Sequence, residues 1–136
     1  MFGYPVWTTY PKIVPPYKSA ECPELLRLCT IDGLPKNTGS WFVARCTKML
    51  KEDWEKETGE RPKCITSLCD ISLGFDGALY RALNFKLLRR TNGRASNIGG
   101  KHGKWGGNSD KSTAIKDMYV LMLDKNYNPF TAEELK

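Results

Sequence analysis

The chain has 136 residues, 40% of them hydrophobic, with 21 Lys and Arg against 15 Asp and Glu, a net charge of +6 and a pI near 9.1. That length suits one domain, 1–136, with room for a true core. Without 18 consecutive apolar residues there is no membrane-spanning helix, and "MFGYPVWTTYPKIVPPYK" has neither the charged nor the apolar region of a secretory signal.

Residues 1–23 form an irregular segment of prolines and aromatics. "FGYPVW" suits the end of a strand, whereas the prolines of "YPKIVPPYKSAECP" exclude a ladder. "ELLRLCTI" (Glu24–Ile31) reads as a central strand and "DGLPKNTGS" as its connection. A helix is predicted over Trp41–Gly59, with Phe42, Val43, Cys46, Met49, Leu50 and Trp54 as its apolar stripe and Gly59 as its stop. "KCITSLCDI" (Lys63–Ile71) is the next strand and "SLGFDG" a turn. "GALYRALNF" (Gly77–Phe85) places Ala78, Leu79, Ala82 and Leu83 on a helical period, and "FKLLRR" follows as a strand. A basic Gly-rich loop over 89–116 leads to the last strand, Asp117–Asp124. The fold class is α/β (α+β): about four strands in a mixed sheet, a central βαβ unit and a second short helix. A strand, a 19-residue helix and a second strand make two parallel neighbours with a right-handed crossover. In such a unit a ligand sits at the carboxyl ends of the strands.

The five cysteines, Cys22, Cys29, Cys46, Cys64 and Cys69, contain no CxxC pair, and His102 is the sole histidine. That set argues against zinc and for reduced thiols in a cytoplasmic protein. The basic balance favours a polyanionic partner. Arg89, Arg90, Arg94, Lys101 and Lys104, with Trp105 among them, suit nucleic acid: cations meet phosphates and an indole stacks on an unpaired base.

"LPKNTGSWF" (Leu34–Phe42) gathers polar and small residues where a helix begins. Exposed helix N-terminal amides attract anions. Here Gly39 admits a close approach, Lys36 adds a charge, and Ser40 is expected to cap the helix by accepting an N–H near residue 43. The same pattern also serves ordinary capping.

"GALYRALNF" is similar to a segment of the GNAT acyltransferase superfamily, and the order of elements resembles that fold. "ELLRLCTIDGLPKNTGSWF" with "CDISLGFDGALYRALNF" more closely resembles the phage Mom family, GNAT-like proteins that carbamoylmethylate adenine in DNA. The matching positions include Arg27, Asp32, Pro35, Asn37, Ser40, Asp70, Gly74, Gly77, Tyr80, Asn84 and Phe85, over residues 24–95. The resemblance implies an acetyl-CoA or related acyl donor held by Arg27 and the loop Lys36, Asn37, Thr38, Gly39 and Ser40. It implies Tyr80 as proton donor and Asp70 as a carboxylate that orients the adenine amino group or helps hold a metal, with Arg27 and Ser40 completing the catalytic set. DNA containing adenine is the implied partner, with iron implied by the family alone. Ile71 and Phe75 stand where the pattern carries Pro and His, Gly39 where it carries Glu, and the family's N-terminal portion is expected to be absent. An edge strand near residues 2–6 would favour a homodimer. The alternatives are an N-acetyltransferase acting on a protein or small amine, and a non-catalytic basic phage protein that binds nucleic acid or a host factor.

Overall fold

Cys64–Asp70 is β3, the strand on which the sheet is centred. The computed structural model describes residues 1–4, 18–26, 28, 31, 33–90 and 115–125. Among these, β1 (Phe2–Gly3), β2 (Glu24–Leu25), α1 (Thr38–Thr58), β3, α2 (Ala78–Ala82), β4 (Lys86–Arg90) and β5 (Lys116–Met122) follow in order, with a 3₁₀ turn at Ile71–Leu73. The sheet has five strands in the order β1-β2-β3-β5-β4, one more than expected, because Phe2–Gly3 pairs antiparallel with β2 at one edge.

Only β2 and β3 run parallel, with Glu24 opposite Thr66 and Leu25 opposite Ser67. The crossover between them is α1, as the βαβ pattern requires. Among the described residues of the expected strand over Glu24–Ile31, Glu24 and Leu25 are the ones in a strand. By contrast, β3 and β5 are antiparallel over seven pairs, from Cys64 opposite Met122 to Asp70 opposite Lys116. Strand β4 carries one extra residue between Leu87 and Arg89, a bulge of the kind that blunts a sheet edge.

Alternation on β3 and β5 assigns each face. Ile65, Cys69 and Tyr119 pack with Val43, Leu50 and Trp54 of α1 and with Phe85. On the other face Cys64 and Val120 meet Cys22, Leu88 and Met122. Val43, Leu50 and Trp54 are spaced by seven and four, one stripe of the helix. Burying each side chain of that size is worth about 1.5–3 kcal/mol. Trp54 also donates its indole N–H to the Ala20 carbonyl at 2.7 Å, and its ring meets Tyr4. Phe42 and Met49, expected in the stripe, are exposed, and Cys46 is half-buried. The stripe is narrower than the pattern of hydrophobicity suggested because α1 packs on the sheet through one line of contacts.

The helix begins earlier than expected. Asn37, at φ 69°, is its N-cap, with no side-chain capping bond, and Thr38 is already helical. Ser40 does not cap. Its hydroxyl donates back to the Asn37 carbonyl at 3.0 Å, as Thr38 Oγ1 donates to Pro35 at 2.7 Å. At the other end Gly59, at φ 73°, stops the helix as predicted.

Candidate functional site

Strands β2 and β3 are paired as far as Leu25 and Ser67, and past that point a cleft of about 670 Å³ opens. Its walls are Leu25, Leu26, Leu28 and Ile31 on one side, and Leu68, Cys69 and Asp70 on the other. The 33–39 loop and start of α1 supply Asn37, Thr38 and Gly39, and the segment 75–80 closes the remaining side. This is the carboxyl end of a parallel pair, where open α/β sheets receive ligands. Its volume is within the range of small-molecule sites.

Two hydroxyls meet where the strands part. Ser67 Oγ donates to the Leu25 carbonyl at 3.0 Å and lies 2.9 Å from Tyr80 Oη. With its only proton on the carbonyl, Ser67 must accept at the second contact, so the phenol is the donor there. Burial raises the Tyr80 phenol above its ordinary value, against the lowering effect of the Ser67 contact. Tyr80 stacks on Tyr119, with centroids 4.7 Å apart and planes at 12°. Tyr119 faces Ser67 across the β3–β5 ladder, so the three residues form one cluster.

Local sequence explains the placement of Tyr80. After α2, Asn84 adopts φ 61°, the left-handed conformation that asparagine tolerates better than most residues. The Phe85 N–H then bonds the Tyr80 carbonyl at 2.9 Å and the Asn84 N–H bonds the Arg81 carbonyl at 3.1 Å. These two bonds make a Schellman motif, and the accompanying apolar contact is Phe85 edge-on to Tyr80 at 5.6 Å. At the start of α2, Gly77 has φ 74°, and a Cβ built there would collide with the Tyr119 phenol. "GALYRALNF" thus encodes a bracket that holds one tyrosine against another.

The acids of the cleft are engaged locally. Asp70 accepts from the Ser72 amide at 3.1 Å and from the Ser72 hydroxyl, capping the 3₁₀ turn. Asp76 caps Ala78 and pairs with Arg81 at 3.2 Å; the Ala78 amide foremost, then Arg81, holds its carboxyl below the usual range. Cys69 also lines the cleft, with its thiol raised by burial, so a thiolate nucleophile is disfavoured there.

Of the residues expected at the site, Asn37, Thr38, Gly39, Asp70 and Tyr80 line this cleft, while Lys36 and Ser40 are not among its lining residues. Arg27 lies outside the described residues, as do Arg94, Lys101, Lys104 and Trp105. Arg89 is exposed on β4, and Arg90 makes a two-pronged bond to buried Asp117, at 2.7 and 3.0 Å. Sequence reasoning missed Ser67 and Gly77's contact with Tyr119. The available signal was the pair of hydroxyl residues, Thr66 and Ser67, inside an otherwise apolar strand. Cys22, Cys46, Cys64 and Cys69 are free. Among the described residues no group of three or more His, Cys, Asp or Glu is positioned to hold a metal ion, so none is assigned to iron. Among them, too, no helix is long and apolar enough to cross a membrane.

No curated protein matches the chain. The family model described as the Mom protein family matches residues 1–131. That match takes in the N-terminal segment as well as the two blocks that carried the resemblance. With nearly the whole sequence spanned, the chain belongs to the Mom protein family.

Proposed function

We propose that the chain is a GNAT-like transferase that modifies adenine in DNA by carbamoylmethylation, protecting phage DNA from host nucleases. Family membership implies phage DNA modification, with DNA as the substrate. The observation that carries the finer reading is the cleft where β2 and β3 part, lined at once by the start of α1 and by Tyr80.

An acetyl-CoA or related donor would supply the two-carbon unit of the carbamoylmethyl group when bound. The features that suit it are the amides of Gly39 and Ser40, which precede Trp41, the first N–H to bond a carbonyl of the helix, and receive no side-chain cap. A small residue at Gly39 leaves the approach to them open. Leu25, Leu26 and Leu28 offer apolar cover along the wall. Tyr80 is the proton donor in this reading. The phenol is protonated at neutral pH, and burial, which raises its pKa further, keeps that proton in place. As its proton leaves, Ser67 can turn its own hydroxyl from the Leu25 carbonyl to the phenolate, 2.9 Å away. Asp70, at the lip of the same cleft, would accept from an exocyclic amino group once released from Ser72. An adenine must leave the duplex stack to reach any such pocket.

The test is mass spectrometry of nucleosides from DNA made in cells expressing the chain. A heavier deoxyadenosine is expected, and its loss in Tyr80→Phe. Unmodified adenine in cells that hold verified folded protein would overturn the reading.

A further inference from the structure

The geometry points to the outer face of the first half of α1 as the surface on which DNA docks beside the cleft. Residues 33–51 contain Lys36, Arg45, Lys48 and Lys51 and no acid, whereas 52–60 contain Glu52, Asp53, Glu55, Glu57 and Glu60 against Lys56 alone. This arrangement runs against the helix dipole, which favours acids in the first turns and cations in the last. Helix stability therefore does not explain it, whereas a polyanion held at that end does. Among the described residues neither Arg45 nor Lys48 belongs to an ion pair.

A second observation is independent of charge. Trp41, Phe42 and Met49 are 63%, 50% and 62% exposed on this same half of the helix. Trp41 lies in the first turn, next to the Thr38 and Gly39 that line the cleft, and the Arg45 guanidinium sits 5.9 Å above its ring. Positions 41, 45 and 48 share one helical face. An exposed indole flanked by unpaired cations combines base stacking with phosphate contact. Arg45 and Lys48 contact phosphates and set register, while Trp41 stacks on an unpaired or displaced base near the cleft mouth.

The inference rests on DNA being the substrate, and its test is separable from the chemistry. Fluorescence anisotropy would compare wild type with Arg45→Glu/Lys48→Glu, Trp41→Ala and the control Lys56→Glu, on labelled duplex and single strand across a salt series. Each lost phosphate contact removes close to one unit of the salt slope, so the double variant is expected to lower it by about two and to weaken binding by roughly tenfold or more. Trp41→Ala is expected to weaken single-strand binding by about tenfold and leave the salt slope unchanged. Lys56→Glu, on the acidic half, should bind as wild type does. Circular dichroism melts check that all variants fold. Wild-type affinity and slope in the double variant would overturn the inference. So would sedimentation showing that the double variant separates a dimer while DNA binding is kept, which would make this face a contact between copies. Loss of binding in the double variant, with no modified adenine made by wild type, would uphold the docking surface and remove only the proposed chemistry.

Discussion

Removing the Ser67 hydroxyl tests the hydroxyl cluster at its centre. Ser67 is 1% exposed and makes two contacts, to the Leu25 carbonyl at 3.0 Å and to Tyr80 Oη at 2.9 Å. A typical internal hydrogen bond contributes about 1 kcal/mol net, and the phenol of Tyr80, a half-buried residue that lines the cleft, can turn to water once Ser67 no longer accepts from it. Ser67→Ala is therefore expected to cost about 2 kcal/mol. Tyr80→Phe loses only the shared bond, about 1 kcal/mol, because Ser67 keeps its carbonyl. In the double variant the shared bond is lost once, together with the Ser67 bond to the Leu25 carbonyl, so the cost stays near about 2 kcal/mol. The singles sum to about 3 kcal/mol, which leaves a coupling of about 1 kcal/mol. Thermal melts at neutral pH would read this as drops of roughly 8 °C, 4 °C and 8 °C, at about 4 °C per kcal/mol for a chain of this size. Costs that add within about 0.3 kcal/mol would refute the shared bond and with it the protonation scheme drawn from it.

Two further outcomes follow from the same cluster. Gly77→Ala must place a Cβ at φ 74° against the Tyr119 phenol, so a loss of at least about 1–2 kcal/mol and an altered near-ultraviolet dichroism are expected; a wild-type melt and spectrum would refute the close packing. Because burial raises the folded Tyr80 pKa above the ordinary 10.0, the protonated phenol's stabilisation is fully present below pH 10 and is lost as pH rises through the folded value. Urea melts from pH 8 to 11 should show wild type losing its advantage over Tyr80→Phe only in the upper part of that range, and a difference that does not shrink there would contradict the shift.

Local patterns carried some of this structure and tertiary contacts decided the rest. The long helix was legible because Val43, Leu50 and Trp54 repeat at its period, and Gly59 marks its end. Its start was not, because the left-handed N-cap is Asn37, and Ser40, a capping residue of equal rank by type, turns its hydroxyl to a carbonyl. Exposed Phe42 and Met49 are apolar by composition yet face outward, and periodicity alone does not distinguish a core stripe from a docking face. Tyr80 was visible through the resemblance carried by "GALYRALNF", which ends in Asn84–Phe85; without it a tyrosine on a short helix reads as a core aromatic. Ser67 was not. Its role depends on where β2 stops pairing, a property of two strands separated by more than 40 residues.

The two walls of the cleft are held with unequal strength. Among the described residues β3 is clamped to β5 along seven pairs, whereas β2 has two pairs with β3 and two with β1. Cohesion is therefore concentrated on one bank. A change in the width of the opening is expected on the β1–β2 side before the β3–β5 side. Tyr80 rests on the more heavily paired side, stacked on Tyr119, so the phenol is expected to keep its aim when the opposite bank shifts.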